Sequence, residues 1–279
     1  MFLSGVVYKE TGEWRGKKTK TSFVLHKLLN LGIPYLVFSA VYIFINSFVG
    51  EVNTQSSLVD ILYLWKTPVA QYWFLYALFF LFVIWTCFSG ILKNWQTTIL
   101  IVAIGYIVPL FGLGLGSFDI VFYSALAFGI GTFVDFSRLA KLPVWAKCLV
   151  VAAHLAVGVA LVIFGRIESA GFKEFMILFG IYSSIMFISM IQDFKPISKF
   201  LLFINKYSFQ IYLLHTIFTA GIRIVLIRVN VTQWWIHVIV GTVCGIVFSV
   251  LAAVIAKKTK YLDFFFFPAK TLKKLKERS

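Results

Sequence analysis

The sequence predicts an all-α fold, a polytopic integral membrane helix bundle with about eight complete spanning helices and an amino-terminal half-helix. Three observations carry that expectation. Apolar residues make up 60% of the 279 residues and charged ones 13%, with a mean hydropathy of +0.91, whereas soluble domains are about half apolar and a quarter charged. No soluble core hides that much apolar surface. The 31 Phe, 12 Tyr and 8 Trp suit lipid contact and interfacial belts. Finally, eight stretches approach the roughly twenty apolar residues that a helix needs to cross hydrocarbon with its backbone satisfied internally.

The chain opens on Met1 to Tyr8, which has the look of the last turns of a spanning helix but is too short to cross. It has neither the basic start nor the length of a signal peptide, so the expectation is a missing upstream segment or a half-helix supported by neighbours. A basic loop, Lys9 to Lys27, leads to the first complete span, Leu31 to Gly50. Next come Tyr72 to Leu92, closed by Lys93-Asn94-Trp95, and Thr97 to Leu113, closed by the glycine run Gly112 to Gly116. Phe118 to Phe136 ends at the Arg138 to Pro143 break, and Val144 to Phe164 and Phe175 to Ile191 precede Lys195-Pro196. Tyr207 to Ile227 and Trp234 to Ala256 complete the set. No linker separates domains, so residues 1–256 read as a single transmembrane domain and 257–279 as a basic cytoplasmic tail.

Charge sets the orientation. Along alternating sides, one face takes six Lys and Arg between Lys9 and Lys27, then Lys93, three from Arg138 to Lys147, three from Lys195 to Lys206 and eight from Lys257 onward, 21 of the 26. Lys66, Arg166, Lys173, Arg223 and Arg228 fall toward the other face. The positive-inside rule places the tail and the Lys9 to Lys27 loop in the cytoplasm. The net charge of +15 is therefore topological, and nucleic acid is not an expected partner. The tail, with Phe264 to Phe267 and Lys273-Lys274-Leu275-Lys276, is suited to anionic lipid headgroups.

Polar groups within the spans are costly and point to function. Ser208, Tyr212, His215, Thr219 and Arg223 follow at offsets of 4, 7, 11 and 15; at about 100° per residue they share a sector of roughly 80° on an otherwise apolar helix. Asn205 extends the stripe. A water-filled substrate cavity and simple interhelical hydrogen bonding are the two readings of it. His154 lies in an apolar run and reads as a core histidine resting on a backbone carbonyl, while His26 and His237 sit near helix ends in wet surroundings. Asp135 and Arg138 are spaced for a local ion pair. Gly241 and Gly245 form a small-xxx-small pair. Cys87, Cys148 and Cys244 all fall inside spans as apolar fillers. No metal-ligand spacing occurs, so no metal is expected.

The run Lys206-Tyr207-Ser208-Phe209-Gln210-Ile211-Tyr212-Leu213-Leu214-His215 resembles a signature near the end of the acyltransferase 3 family, membrane O-acyltransferases that decorate cell-surface glycans. Met1-Phe2-Leu3-Ser4-Gly5 resembles the end of that family's second helix, Lys27 to Tyr35 with Ile33-Pro34-Tyr35 its next entry, and Tyr72-Trp73-Phe74-Leu75 its Trp-Phe-Leu segment. Each motif is short, but their shared order spans nearly the whole chain. The resemblance implies transfer of an acyl group, acetyl above all, from acyl-CoA to a hydroxyl of a polysaccharide or lipid-linked glycan at a bacterial plasma membrane.

On that reading His215, Tyr212 and Ser208 are the catalytic candidates, and Arg223, Thr219, Trp73 and Asn205 face the acceptor. Lys27, Lys18 and His26 supply counter-charge for the donor's phosphates. The family's first helix, which holds a basic residue and the histidine taken as catalytic, has no counterpart here. A paired-arginine motif before the third helix is replaced by His26-Lys27 and Lys17, Lys18 and Lys20. The expectation is that the chain as given transfers acyl groups poorly and that an upstream helix restores transfer. A transporter or flippase of lipid-linked sugars is the alternative, weakened by the lack of a mid-helix acid or inverted repeat. A non-catalytic membrane scaffold is a third.

The topology has a direct check. A cysteine placed at Lys274 is expected to resist a membrane-impermeant thiol reagent applied to intact cells; modification from outside would reverse the orientation.

Overall fold

The computed structural model describes residues 1–11, 19–48, 56–90, 92, 95–110, 114, 116–134, 141–165 and 170–276. Among the described residues the regular structure is helical throughout. Helix α1 covers Phe2–Thr11. Helix α2, Lys20–Lys27, starts under a side-chain cap, with the Thr19 hydroxyl accepting from the Ser22 amide at 3.3 Å. A π-helical turn, Leu28–Gly32, joins it to α3, Ile33–Phe48. The turn has a covalent cause. Pro34 has no N–H to offer the Asn30 carbonyl four residues back, and its ring crowds that carbonyl; widening the ladder to the next spacing relieves both.

Short 3₁₀ turns at Leu58–Tyr63 and Ala70–Tyr72 lead into α4, Trp73–Cys87. The first carries a capping box: the Ser57 hydroxyl accepts from Val59 N at 3.4 Å while Asp60 accepts from Ser57 N at 2.8 Å. Next are α5, Trp95–Leu110, and α6, Asp119–Phe133, the latter entered through a turn at Gly116, whose φ of +65° suits a residue without Cβ. The rest are α7, Val144–Phe164; α8, Ala170–Ile191; α9, Lys195–Arg228; α10, Trp234–Lys258; α11, Lys260–Phe266; and α12, Pro268–Lys276.

The all-α membrane architecture matches the sequence expectation. Among the described residues six helical stretches are long and apolar enough to cross a bilayer: Lys20–Phe48, Ala70–Cys87, Gly116–Phe133, Val144–Phe164, Lys195–Arg228 and Trp234–Lys258, with Phe175–Ile191 a shorter apolar helix. Two of them begin well before the predicted starts at Leu31 and Tyr207. The early turns, Lys20–Lys27 and Lys195 to Lys206, mix lysines with apolar residues, so a hydropathy window passes over them although their backbones continue the ladder. At 1.5 Å per residue, α9 is about 51 Å long, well beyond the hydrocarbon thickness. The proposed Asp135–Arg138 pair lies outside the described residues.

Contacts divide the chain into two compact units, one of Met1, Glu10–Leu126 and Asn205–Ser279, the other of Phe2–Lys9 and Ala127–Ile204. In the second unit α1 lies against the end of α6 so closely that a Cβ on Gly5 would sit 2.1 Å from the Phe128 carbonyl oxygen, and one on Gly131 would sit 2.2 Å from that of Phe2. The Lys9 ammonium donates to the Val134 carbonyl at 3.1 Å, placing a cation at the carboxyl end of α6. His154, expected on a backbone carbonyl, instead packs edge-on to Phe179, its buried Nδ1 without a hydrogen-bond partner among the described residues. On α7, Val162 and Phe164 are each 86% exposed, a surface fit for lipid.

In the first unit Lys20 reaches the Cys87 carbonyl at 3.3 Å, another cation at a helix carboxyl end. Thr219 donates to the Gly241 carbonyl at 3.2 Å, and a Cβ on Gly245 would meet the Thr219 hydroxyl at 2.7 Å, so the glycine pair lets α9 and α10 approach closely. The tail packs against this unit as well: Phe266 is buried with its ring 5.0 Å from Phe38, and the Ala269 amide donates to Asn30 Oδ1 at 3.3 Å.

The contact at Gly5 predicts that Gly5→Val costs on the order of 1–3 kcal/mol, because backbone cannot yield as a side chain can. Gly158→Ala, where a Cβ meets nothing within 4 Å, is expected to keep the parent's melting temperature in detergent. Equal melting of the two variants would refute the packing.

Candidate functional site

Two places in the first unit gather polar chemistry. One lies around His215. The Ala70–Tyr72 turn at the entrance of α4 is bonded to α9 by three hydrogen bonds: the Gln71 amide donates to the Thr216 hydroxyl, the Tyr72 hydroxyl to the Leu213 carbonyl at 2.7 Å, and the Tyr212 hydroxyl to the Gln71 carbonyl at 2.5 Å. Ala70 holds φ +44° to aim this turn, a conformation unfavourable to a residue with a Cβ. Tyr72 is fully buried and edge-on to Tyr42, while Phe74 lies 5.5 Å from the Tyr212 ring.

Within this clamp His215 has a defined tautomer. Its Nδ1 lies 2.8 Å from the Ile211 carbonyl and 3.0 Å from that of Tyr212. Carbonyls only accept, so Nδ1 carries the proton in the neutral ring and Nε2 carries the lone pair. The ring is half-buried, as are Tyr212 and Thr219. The arrangement can take a proton at Nε2 from a hydroxyl brought beside it.

The sequence-predicted stripe is thus divided in use. Tyr212 bonds Gln71, Thr219 bonds Gly241 on α10, and His215 bonds its own preceding turn. Ser208 donates to the Asn205 carbonyl at 2.9 Å on its own helix, and both residues are exposed. Arg223, two turns beyond His215, is exposed. Trp73 is 39% exposed and stacks edge-on against its neighbour Phe74. Gln71 and Thr216 are absent from the sequence reading. Gln71 is the only amide beside the Tyr72-Trp73 motif, and that position was the available signal.

The second place is a pocket of about 690 Å³ lined by His26, Asn30 and Leu31, by Phe209 of α9, and by Phe266, Phe267, Ala269, Lys270 and Lys273 of the tail. The π turn carries Asn30 and Leu31 to it, and the Asn30 amide lies 3.3 Å from the His26 ring. Of the residues expected to meet the donor, His26 lines this pocket. Lys27 instead lies over the Phe82 ring at 4.2 Å and the Phe23 ring at 5.1 Å, and Lys18 lies outside the described residues. The sequence reading assigned the tail lysines to lipid, so their place in a pocket is new. No cluster of His, Cys, Asp and Glu suited to a metal occurs among the described residues.

The clamp predicts a measurable coupling. In a double-mutant cycle of Gln71→Ala and Thr216→Val, the interaction energy is expected near 0.6 kcal/mol and below about 1.7, the range for hydrogen bonds between membrane helices. Additive losses within experimental error would remove the bond from the account.

Comparison with known proteins agrees with the motifs. The family model for the acyltransferase 3 group, described as an acyltransferase domain, matches residues 1–254. No curated protein and no solved structure gives a significant match. A match over so much of a multi-helix membrane chain is decisive: the chain belongs to the acyltransferase 3 family of membrane acyltransferases.

Proposed function

We propose that the protein transfers an acyl group, acetyl in the simplest case, from acyl-CoA to a hydroxyl of a cell-surface polysaccharide or lipid-linked glycan, working in a bacterial plasma membrane with its carboxyl terminus in the cytoplasm. The observation that supports this most directly is His215, whose Nδ1 is committed to the Ile211 and Tyr212 carbonyls and whose Nε2 is thereby the basic nitrogen. An imidazole held in one tautomer and orientation is the arrangement that general-base catalysis on an alcohol uses.

In this reading Nε2 of His215 removes the proton from the acceptor hydroxyl as its oxygen attacks the thioester carbonyl. The tetrahedral intermediate collapses with loss of the C–S bond, and the coenzyme A thiolate takes the proton back from the imidazolium. Tyr212 and Gln71 serve as positioning residues through their mutual hydrogen bond. Thr219 fixes the next helix, and Arg223, Asn205, Ser208 and Trp73 contact the acceptor. His26 belongs to the donor side, with Lys27 and Lys18 as more distant counter-charge.

The test is release of free coenzyme A by the protein in membranes supplied with acetyl-CoA and a glycan acceptor. The chain as given is expected to turn over slowly, and His215→Ala to lower that residual rate by roughly a hundredfold, the lower end of the usual worth of positioned proton transfer. Tyr212→Phe is expected to lose less, because it disturbs orientation alone. An unchanged rate in His215→Ala would overturn the assignment.

A further inference from the structure

The pocket at the tail has a chemistry of its own. Its walls combine the Phe209, Phe266 and Phe267 rings with the cationic side chains of Lys270 and Lys273, the His26 imidazole and the Asn30 amide. None of these lining residues is acidic. Helix α12 begins here at Pro268, and Asn30 Oδ1 accepts from the Ala269 amide, so the positive end of the helix dipole also points to this region. A volume of about 690 Å³ is that of a small-molecule site. Cations and a helix amino end beside aromatic walls suit a phosphate ester joined to a flat or apolar group.

We propose that this pocket is a binding site for a phosphate-bearing ligand, with Lys270 and Lys273 holding the phosphate and the three phenylalanines its apolar or aromatic part. The tail is therefore a structural wall of a ligand site. Two molecules carry this chemistry: a nucleotide such as the diphosphate end of coenzyme A, and the headgroup of an anionic phospholipid. The first source rests on the acyl-CoA reading above and gains from position. Phe209 lines the pocket, and His215 lies six residues further along the same helix, about 9 Å along its axis. A pantetheine arm leaving the pocket can span that distance.

The experiment uses the full chain in nanodiscs, comparing the unsubstituted protein with Lys270→Gln/Lys273→Gln and with Lys195→Gln/Lys199→Gln, which loses equal charge elsewhere. In phosphatidylcholine discs, titration calorimetry measures coenzyme A and adenosine 3′,5′-bisphosphate. In discs containing phosphatidylglycerol, native mass spectrometry counts retained anionic lipid. The expected result is nucleotide affinity roughly tenfold or more weaker in the tail variant and within about twofold in the control. Retained phosphatidylglycerol that is lost only in the tail variant, with no nucleotide binding by any form, supports the site with a lipid as its ligand. The coenzyme A release assay then judges the acyltransfer reading separately. A tail variant that matches the control in both discs overturns the proposal.

Discussion

Hydrocarbon offers no hydrogen-bond partner, so a polar group that enters it must be satisfied by protein, and this constraint shapes the first unit. A spanning helix that keeps its own ladder owes nothing to its neighbours. The Ala70–Tyr72 turn is not such a helix: its backbone leaves the α ladder and carries an amide side chain and a phenol. It satisfies them on α9, through the Thr216 hydroxyl and the Leu213 carbonyl, and accepts the Tyr212 hydroxyl in return. The unfavourable φ of Ala70, which costs on the order of 1–3 kcal/mol, persists because these three bonds over-determine the turn. His215 sits in the middle of the stretch they immobilise.

Helix α9 consequently makes two kinds of contact along one axis. Near its middle it presents Phe209 to the tail pocket, and a turn and a half later His215 lies beside Gly245 of α10, its Nδ1 turned back on the preceding turn. Its other neighbour, α10, is brought close at Thr219 by two glycines that leave room for the hydroxyl. A rigid rod held at three points keeps the separation between the pocket and the imidazole constant, which is what a reaction joining two bound molecules needs.

Much of this was legible in the residues. Hydropathy exposed the membrane class, and the offsets of Tyr212, His215 and Thr219 put polar groups on one side of a helix that does make polar contacts. Gly241 and Gly245 announced a close approach that the structure contains. What stayed hidden was long-range. Gln71 and Thr216 are 145 residues apart, and no local pattern joins them. Lys270 and Lys273 looked like any basic tail, because the feature that distinguishes them is the folding back of α12 onto Asn30. The early starts of the first complete span and of α9 were hidden for the opposite reason, since lysine-rich turns lower the average while the backbone remains helical.

The π turn before Pro34 has a further implication for how the chain tolerates sequence change. A π turn amounts to one extra residue lodged in an α-helix, so every side chain preceding it is rotated by about 100° from where an unbroken helix would put it. His26 reaches the pocket, and Lys20 the end of α4, only with that rotation in place. Relaxing the turn to α spacing with all its residues kept would swing the entire preceding segment onto the wrong side, whereas deleting one residue of Leu28–Gly32 removes the extra residue and leaves that segment facing as it does. Relatives of this chain can therefore lose the bulge only together with one residue between His26 and Pro34, while apolar side chains exchange freely through this helix.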